Sequence, residues 1–478
     1  MERVAFVTEP LLSSDFVQFQ VAVPLLERLA RHFDLGLTAP ALSQSVRETL
    51  ESRGIHALGG TARAPPLRHS RDELPSYVWS WARDAFLGQN AREINRTLRE
   101  FGGLRVNYSM TTACDADCWY IQSGTLGPAL QAMQGSFNRR LRWPVRLTAT
   151  AIGAADWTHA WRAAKHARRI YSSTHHVGWA FGERSIAVRG VVPFYYRSVF
   201  RPSTRNPSRD FLLSYLGKET DVEALLQLAK LGVPLKIFGS KSPGWVDSAF
   251  RGQLPAHVEL LGRLSDEELR DIYSNALLTV FPFTEEPFGL VPVESMACGT
   301  PVLSYRKQGP QETIVEGRTG WLVDSPAELI GAARRIFRKG YSPIVTDHCL
   351  ERAQDFHVDT LAEQWEGLLR AAISDDPEPG YVQRLAERPH AARGAGPILR
   401  PQPHLVGVWV EPLGPPTNFD LLGLEGTRWT ARHPPAIRIP TFGPTGLPDS
   451  PNAGALSSEA PERLDLAQAE TAKRTPAP

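Results

Sequence analysis

The chain has 478 residues, of which 42% are hydrophobic and 22% charged, and a formal net charge of +2. Single hydrophobic cores stop growing beyond roughly 250–300 residues, so this length calls for at least two domains. The composition is that of a globular protein, the near-neutral total excludes the basic footprint of a nucleic-acid binder, and no run of 18 apolar residues offers a transmembrane helix.

Taken in chain order, residues 1–7 are too short an apolar run for a signal peptide and read instead as a first strand over residues 4–8. The four cysteines, Cys114, Cys118, Cys298 and Cys349, are too few for a disulfide framework and suit a reducing, cytoplasmic compartment. Cys114 and Cys118 flank Asp115 and Asp117, but no second Cys or His pair follows at zinc spacing, so no metal site is expected. A polar loop, Ser13-Ser14-Asp15, precedes Val21, Leu25, Leu26 and Leu29 at helical spacing, and residues 33–37 give another short strand. Strand-then-helix order continues around Trp119-Tyr120-Ile121 and Arg146-Leu147. Residues 1–200 carry 24 Lys and Arg against 16 Asp and Glu, which suits an anionic partner or a solvated basic surface.

Residues 190–196 close this first unit, and residues 200–207 form a proline-containing linker. A second unit follows at once. Strands are expected over 211–217, 235–238, 258–261, 277–281, 301–304 and 320–323, with helices through Leu225-Leu226, over 266–275 and over 289–298. Ser265 with Glu268 three residues on is a capping box, and Gly299 is a glycine C-cap. Alternating β and α elements imply parallel sheets covered on both faces. Composition changes near residue 376. Of 39 prolines, 18 fall in residues 376–478, periodicity is weak, and the segment reads as largely disordered. Its one apolar run, residues 405–410, is either a docking strand or chance.

In open parallel sheets, ligands bind beyond the carboxyl ends of the strands. After the strand at 277–281 comes Glu285-Glu286-Pro287-Phe288-Gly289-Leu290-Val291-Pro292-Val293-Glu294. Glu286 falls in the loop over the sheet edge. Gly289 opens a helix whose first free amides face that edge, a ready phosphate site. Glu294 lies about one turn in. By spacing alone, two solvated glutamates would look the same.

The wider context is more specific. Residues 283–302 closely resemble the donor-site signature of the retaining glycosyltransferases of family four. Gly309-Pro310-Gln311-Glu312 and Glu316-Gly317-Arg318-Thr319-Gly320-Trp321-Leu322-Val323 resemble the segments that follow it, and Val258-Glu259-Leu260-Leu261-Gly262-Arg263-Leu264 resembles the base-binding strand and loop. The likeness is good over about residues 210–330, weaker over 1–205 and absent from the tail.

The resemblance implies the GT-B fold: two Rossmann-like, doubly wound α/β domains facing across a cleft. Residues 1–205 would be the acceptor domain and 206–375 the donor domain, leaving 376–478 as the tail that composition reads as largely disordered. The final helix, around 362–369 with Trp365, would pack back on the first domain. The implied reaction is sugar transfer from a UDP- or GDP-linked donor, with retained configuration, to a lipid, glycan or small molecule, with no metal cofactor. Glu286 would bind the donor sugar's hydroxyls, and Phe288, Gly289, Leu290 and Val291 would offer amides to sugar and diphosphate. Glu294 would take the ribose hydroxyls, and Gly217 and Arg263 would line the same donor site. A carboxylate can hold two vicinal hydroxyls together, and fixed donors at a diphosphate leaving group act most in the transition state.

Departures from the family pattern also matter. Lys218, after Gly217, takes the place of the usual arginine. The usual lysine five residues later is Glu223, and Lys241 is either its stand-in or an exposed loop lysine. The loop after the first strand, Thr8-Glu9-Pro10-Leu11-Leu12-Ser13-Ser14-Asp15, has no glycine. Gln122 stands where an acceptor-side histidine is usual, with His159, His175 and His176 as other candidates. The basic stretch 139–146 could rest on an anionic membrane surface or be ordinary surface arginines. Rival readings are another enzyme on this scaffold, such as an epimerase or phosphorylase, or a nucleotide-sugar-binding module without turnover.

Overall fold

The computed structural model describes residues 1–64, 73–123, 142–217, 219–239 and 254–386, with backbone alone at 17, 73–75 and 142–150. These residues build two sheets. The first gathers β1 (Arg3–Val7), β2 (Asp34–Thr38), β3 (His56–Leu58), β4 (Leu104–Asn107), β5 (Cys118–Ile121), β6 (Arg169–Ser172) and β7 (Gly190–Val191). The second gathers β8 (Leu212–Leu216), β9 (Leu235–Gly239), β10 (Val258–Gly262), β11 (Leu278–Phe281), β12 (Val302–Tyr305) and β13 (Gly320–Val323). A last strand, β14 (Gln383–Arg384), joins the first sheet. The orders are β14-β7-β6-β5-β4-β1-β2-β3 and β10-β9-β8-β11-β12-β13. Every pairing is parallel except that of β14 with β7.

Strands buried on both faces need apolar residues at nearly every position, which is what β1, β5 and β11 carry. Each strand order reverses once, between β1 and β4 and between β8 and β11. These reversals open the two crevices in which a doubly wound sheet binds ligands. The fold is GT-B.

The local signals act as their chemistry requires. Leu25, Leu26 and Leu29 are buried on the helix Val17–Leu29. The Ser265 hydroxyl accepts from the Glu268 amide, and the Glu268 carboxylate accepts from the Ser265 amide at 2.7 Å, starting the helix Asp266–Asn275. Gly299 takes φ +85 just past the helix Leu290–Ala297, a conformation that favours glycine. Residues 146–147 lie within the helix Arg142–His166.

The final helix, Val358–Ile373, lies on the first sheet. The Trp365 ring, 1% exposed, sits 6.2 Å from Phe6, 5.9 Å from Tyr108 and 5.1 Å from Tyr120. The chain then continues past the expected end of ordered structure. The disorder expected from residue 376 onward does not hold for residues 376–386. There Gln383–Arg384 pairs antiparallel with Gly190–Val191, and Val382 is buried. A Cβ on Gly190 would stand 2.9 Å from the Gln383 carbonyl oxygen, so a bare glycine admits this edge strand. Glu378 pairs with Arg189 at 3.0 Å and Arg169 at 3.7 Å, and Arg169 donates to the Asp376 carbonyl at 2.7 Å. Two paired residues and a few ion pairs hold a segment whose prolines already keep it extended, and composition alone does not register such an edge strand. Residues 387–478, including the run 405–410, lie outside the described residues.

Candidate functional site

The carboxyl ends of β8 and β11 are neighbours, and their loops are joined by hydrogen bonds. The Gly217 amide donates to the Thr220 hydroxyl at 2.8 Å. The Asp221 amide donates to the Pro282 carbonyl at 3.1 Å, and the Thr284 amide to the Glu219 carbonyl at 2.7 Å. Gly217 has no room for a side chain, because the Tyr215 hydroxyl lies 2.1 Å from where a Cβ would stand. The Tyr215 ring lies 5.3 Å from that of Phe238 and 6.3 Å from that of Phe281. Burial holds its phenol well above the ordinary range, the charges of Glu219, Glu286 and Glu294 push the same way, and Arg263 opposes them. Tyr215 thus fills the space beside Gly217 and feels the charges of Arg263, Glu286 and Glu294.

Glu286 is fixed through its backbone on both sides. Its amide donates to Gln308 Oε1 at 2.6 Å, and its carbonyl accepts from the Gly309 amide at 3.0 Å. Its carboxylate accepts from the amides of Gly289 at 2.9 Å and Phe288 at 3.3 Å. The helix Leu290–Ala297 starts at Gly289, φ +99, which has no side chain with which to cap it, so Glu286 takes that part. Of the four amides read as donor ligands, two are therefore engaged by Glu286 itself. The helix start retains the amides of Leu290 and Val291, which precede the first intrahelical pairing, while Pro292 has none to give.

Glu294 is nearly buried, 3.5 Å from the Tyr273 hydroxyl and 3.8 Å from the Arg197 guanidinium. Burial pushes its carboxyl from 4.5 up to about 7, with Arg197 opposing. Arg197 comes from the segment between the two sheets, lies 5.1 Å from the Phe200 ring centre and pairs with Asp266. Lys307, just past β12, places its ammonium 5.0 Å over Phe283 and 5.1 Å over Tyr305. Burial lowers its pKa against the opposing pull of Glu285 and Asp221.

On the first domain, Gln122 follows β5 directly. Its side-chain amide donates to the Tyr108 carbonyl, and its own carbonyl accepts from Ser173 Oγ at 2.7 Å. His159 is buried in a helix 3.7 Å from Asp84, and burial lowers its pKa. His175 and His176 open the helix His175–Gly182 and give their amides to the Glu312 carboxylate of the second domain at 2.7 and 2.8 Å. His175 Nδ1 is also 3.2 Å from that carboxylate, which raises the imidazole pKa. The glycine-free loop after β1 is held by Glu9, whose buried carboxylate accepts from the Met110 amide at 2.6 Å and from the Thr111 hydroxyl. Burial pushes that carboxyl up to about 7.

Lys218, Lys241 and residues 139–141 lie outside the described residues, as do the side chains of 142–146. Among the described residues no three His, Cys, Asp or Glu side chains converge as a metal site, and no helix is long and apolar enough to cross a membrane. Sequence reading missed Tyr215, Lys307 and Gln308 as parts of these loops, and it quoted Glu9 in the loop after β1 without giving it a role. It quoted Glu312 within a motif without giving it a role.

Residues 222–341 match the family model described as glycosyl transferases group 1. Similar curated proteins include a D-inositol 3-phosphate glycosyltransferase of Acidothermus cellulolyticus, 36% identical over 124 residues. That stretch is 26% of this chain and 28% of the relative. The alpha-1,3/1,6-mannosyltransferase alg-2 of Neurospora crassa is 48% identical over 69 residues, 14% of this chain and 15% of the relative. The chain thus matches less than a third of the length of these relatives. Similarity of fold extends much further. Sucrose-phosphate synthase of Thermosynechococcus elongatus aligns with a TM-score of 0.55 and 19% identity over 79% of this chain and 100% of that one. HepE of Anabaena, solved with UDP and glucose, aligns with a TM-score of 0.54 and 14% identity over 78% of this chain and 100% of that one.

Proposed function

We propose that this chain, a GT-B fold whose residues 222–341 match the group 1 glycosyl transferases, moves a sugar from a nucleoside diphosphate sugar to an acceptor with retention of configuration. One observation carries the reading. Glu286 sits in the loop after β11, bonded to the amides of Phe288 and Gly289, directly before a helix whose first two amides are those of Leu290 and Val291. A diphosphate suits that helix start, where backbone donors and the helix dipole favour negative charge. As the sugar–phosphate bond breaks, charge grows on the leaving diphosphate, and fixed donors stabilise it without reorganising.

The Glu286 carboxylate is acceptor-only, with about four lone-pair positions, so it can hold two amides and still take sugar hydroxyls. Glu294 takes the ribose hydroxyls and Arg263 flanks the base. Lys218 supplies charge to the diphosphate, joined by Lys241 if that residue stands in for the lysine that Glu223 displaces, so that no metal is required. A UDP-linked donor is favoured, because HepE shares this fold and was solved with UDP and with UDP-glucose. The acceptor, a lipid, glycan or small molecule, enters from the first domain near Gln122, and the basic stretch 139–146 would meet an anionic membrane surface.

The test is thermal unfolding with UDP, GDP and ADP, followed by turnover of their sugars. A specific ligand at 100 times its Kd stabilises by about 2.7 kcal/mol. Stabilisation with turnover, and product of the donor's anomeric configuration by NMR, is the expected result. Stabilisation without turnover on any acceptor would make the chain a binding module, and no stabilisation by any of the three would refute the donor site.

A further inference from the structure

The short helix Gln308–Thr313 begins with a residue in an unusual conformation. Gln308 has φ +53, which L side chains rarely adopt and which glycine adopts freely. A non-glycine residue in this region points to a use for its side chain. That side chain spans the acidic pair of the β11 loop. Its Oε1 accepts from the Glu286 amide at 2.6 Å, and its Nε2 donates to Glu285 Oε2 at 2.6 Å. Gly309 then brings its backbone against the same loop. Its amide donates to the Glu286 carbonyl, and a Cβ there would stand 2.3 Å from the Phe288 carbonyl oxygen.

One turn on, Glu312 reaches the other domain. Its carboxylate takes the His175 and His176 amides at 2.7 and 2.8 Å, while Arg352 braces its carbonyl at 2.8 Å. Thr174, which caps that same first-domain helix, donates its hydroxyl to the Pro287 carbonyl at 2.9 Å. The hydrogen bonds close a circuit. Gln308 and Gly309 hold Glu286, Glu312 holds the start of the helix His175–Gly182, and Thr174 at that start holds Pro287, next to Glu286.

We propose that Gln308 and Glu312 form a positioning bracket that makes the placement of Glu286 depend on closure of the two domains. The inference rests on the donor-site reading above. Neither residue reacts. Gln308 sets where the Glu286 loop stands, and Glu312 adds the first domain to the same hydrogen-bonded ring. Full activity then requires the closed cleft, where the first domain brings the acceptor.

The test uses full-length protein and hydrolysis or transfer of UDP-glucose, GDP-mannose and ADP-glucose. Gln308→Gly relieves the backbone while removing the clamp. Its thermal midpoint should equal or exceed wild type, and its kcat should fall roughly tenfold or more. Affinity for UDP should stay within about twofold. A structural role alone would move the midpoint and spare kcat, and wild-type kcat overturns the proposal. For Glu312, spin labels at Arg96→Cys and Arg334→Cys, both exposed, report the interdomain distance, since all four native cysteines are buried. Glu312→Ala should broaden the distance distribution toward longer values, and Glu312→Gln, which keeps one acceptor, should restore part of it. An unchanged distribution in Glu312→Ala overturns the interdomain half. Should that variant fail to fold, Thr174→Val breaks the ring at Pro287 and is read in the same way. Absence of wild-type stabilisation by UDP, GDP and ADP would instead refute the donor-site reading, while stabilisation without turnover on any donor would overturn the catalytic half of the bracket; the distance measurement decides the interdomain half in either case.

Discussion

Replacing Glu294 with glutamine should make the protein more stable at alkaline pH and have almost no effect at acidic pH. The carboxyl is nearly buried, and burial raises its pKa from 4.5 to about 7. Between those values the folded chain keeps a proton that the unfolded chain has released. Stability therefore falls as pH rises through this window and levels off above it. A rise from 4.5 to about 7, at about 1.4 kcal/mol for each pH unit, sets the ceiling at about 3 kcal/mol. Glutamine is neutral throughout and carries no such dependence. The other strongly raised carboxyl, that of Glu9, is common to both proteins and cancels in the difference. Unfolding midpoints measured from pH 4.5 to 8.5 on wild type and Glu294→Gln should diverge with rising pH, by about 2–4 °C for each kcal/mol. The same substitution should weaken nucleotide binding, so stability and function would move in opposite directions. Two curves that stay parallel across the range would refute the buried-carboxyl argument.

Other outcomes follow from the same geometry. Lys218→Ala should weaken nucleoside diphosphate binding by about 2 kcal/mol in calorimetry, the loss of a charge-assisted hydrogen bond. Lys241→Ala should do so only if it serves the diphosphate in place of the lysine that Glu223 displaces, and full affinity in Lys218→Ala would remove that residue from the site. A chain ending at Ala386 should unfold at the wild-type midpoint. One ending at Asp375 should lose about 2 kcal/mol, because Arg169 is left buried without the Asp376 carbonyl and Glu378. Equal midpoints for the two truncations would mean that β14 contributes nothing.

The second domain was the more legible because its signals are local. The runs that became β8 and β11 are almost wholly apolar, and the Ser265–Glu268 capping box marks its helix to the residue. In the first domain β4 and β6 are four-residue strands that carry Arg105 and Arg169. Arg169 is buried only because Asp376 and Glu378 return to meet it, which no window around residue 169 contains. For the same reason β14 was lost in a proline-rich background. In the site, Glu286, Gly289 and Glu294 lie within nine residues and share one loop and helix, so a single motif holds them. Gln308 and Glu312 act through a left-handed backbone at a non-glycine residue and through a contact 137 residues distant. Glu312 stands in a motif that resembles the family's, but nothing in the neighbouring sequence tells what either residue touches. The glycine-free loop after β1 looked like a loss, and it is instead tied down by the buried carboxylate of Glu9.

In the proposed reaction Glu286 acts on the sugar while the diphosphate rests on the helix that follows. The most direct test is the steady-state kcat of Glu286→Gln with the donor identified by screening, beside its affinity for the matching nucleoside diphosphate. The substitution keeps the shape and removes the charge. The ring gains positive charge as the diphosphate leaves, so kcat should fall by roughly a hundredfold or more, the loss of a transition-state electrostatic contact. Affinity for the diphosphate, which does not contain the sugar, should stay close to wild type. Wild-type kcat in Glu286→Gln would contradict the account.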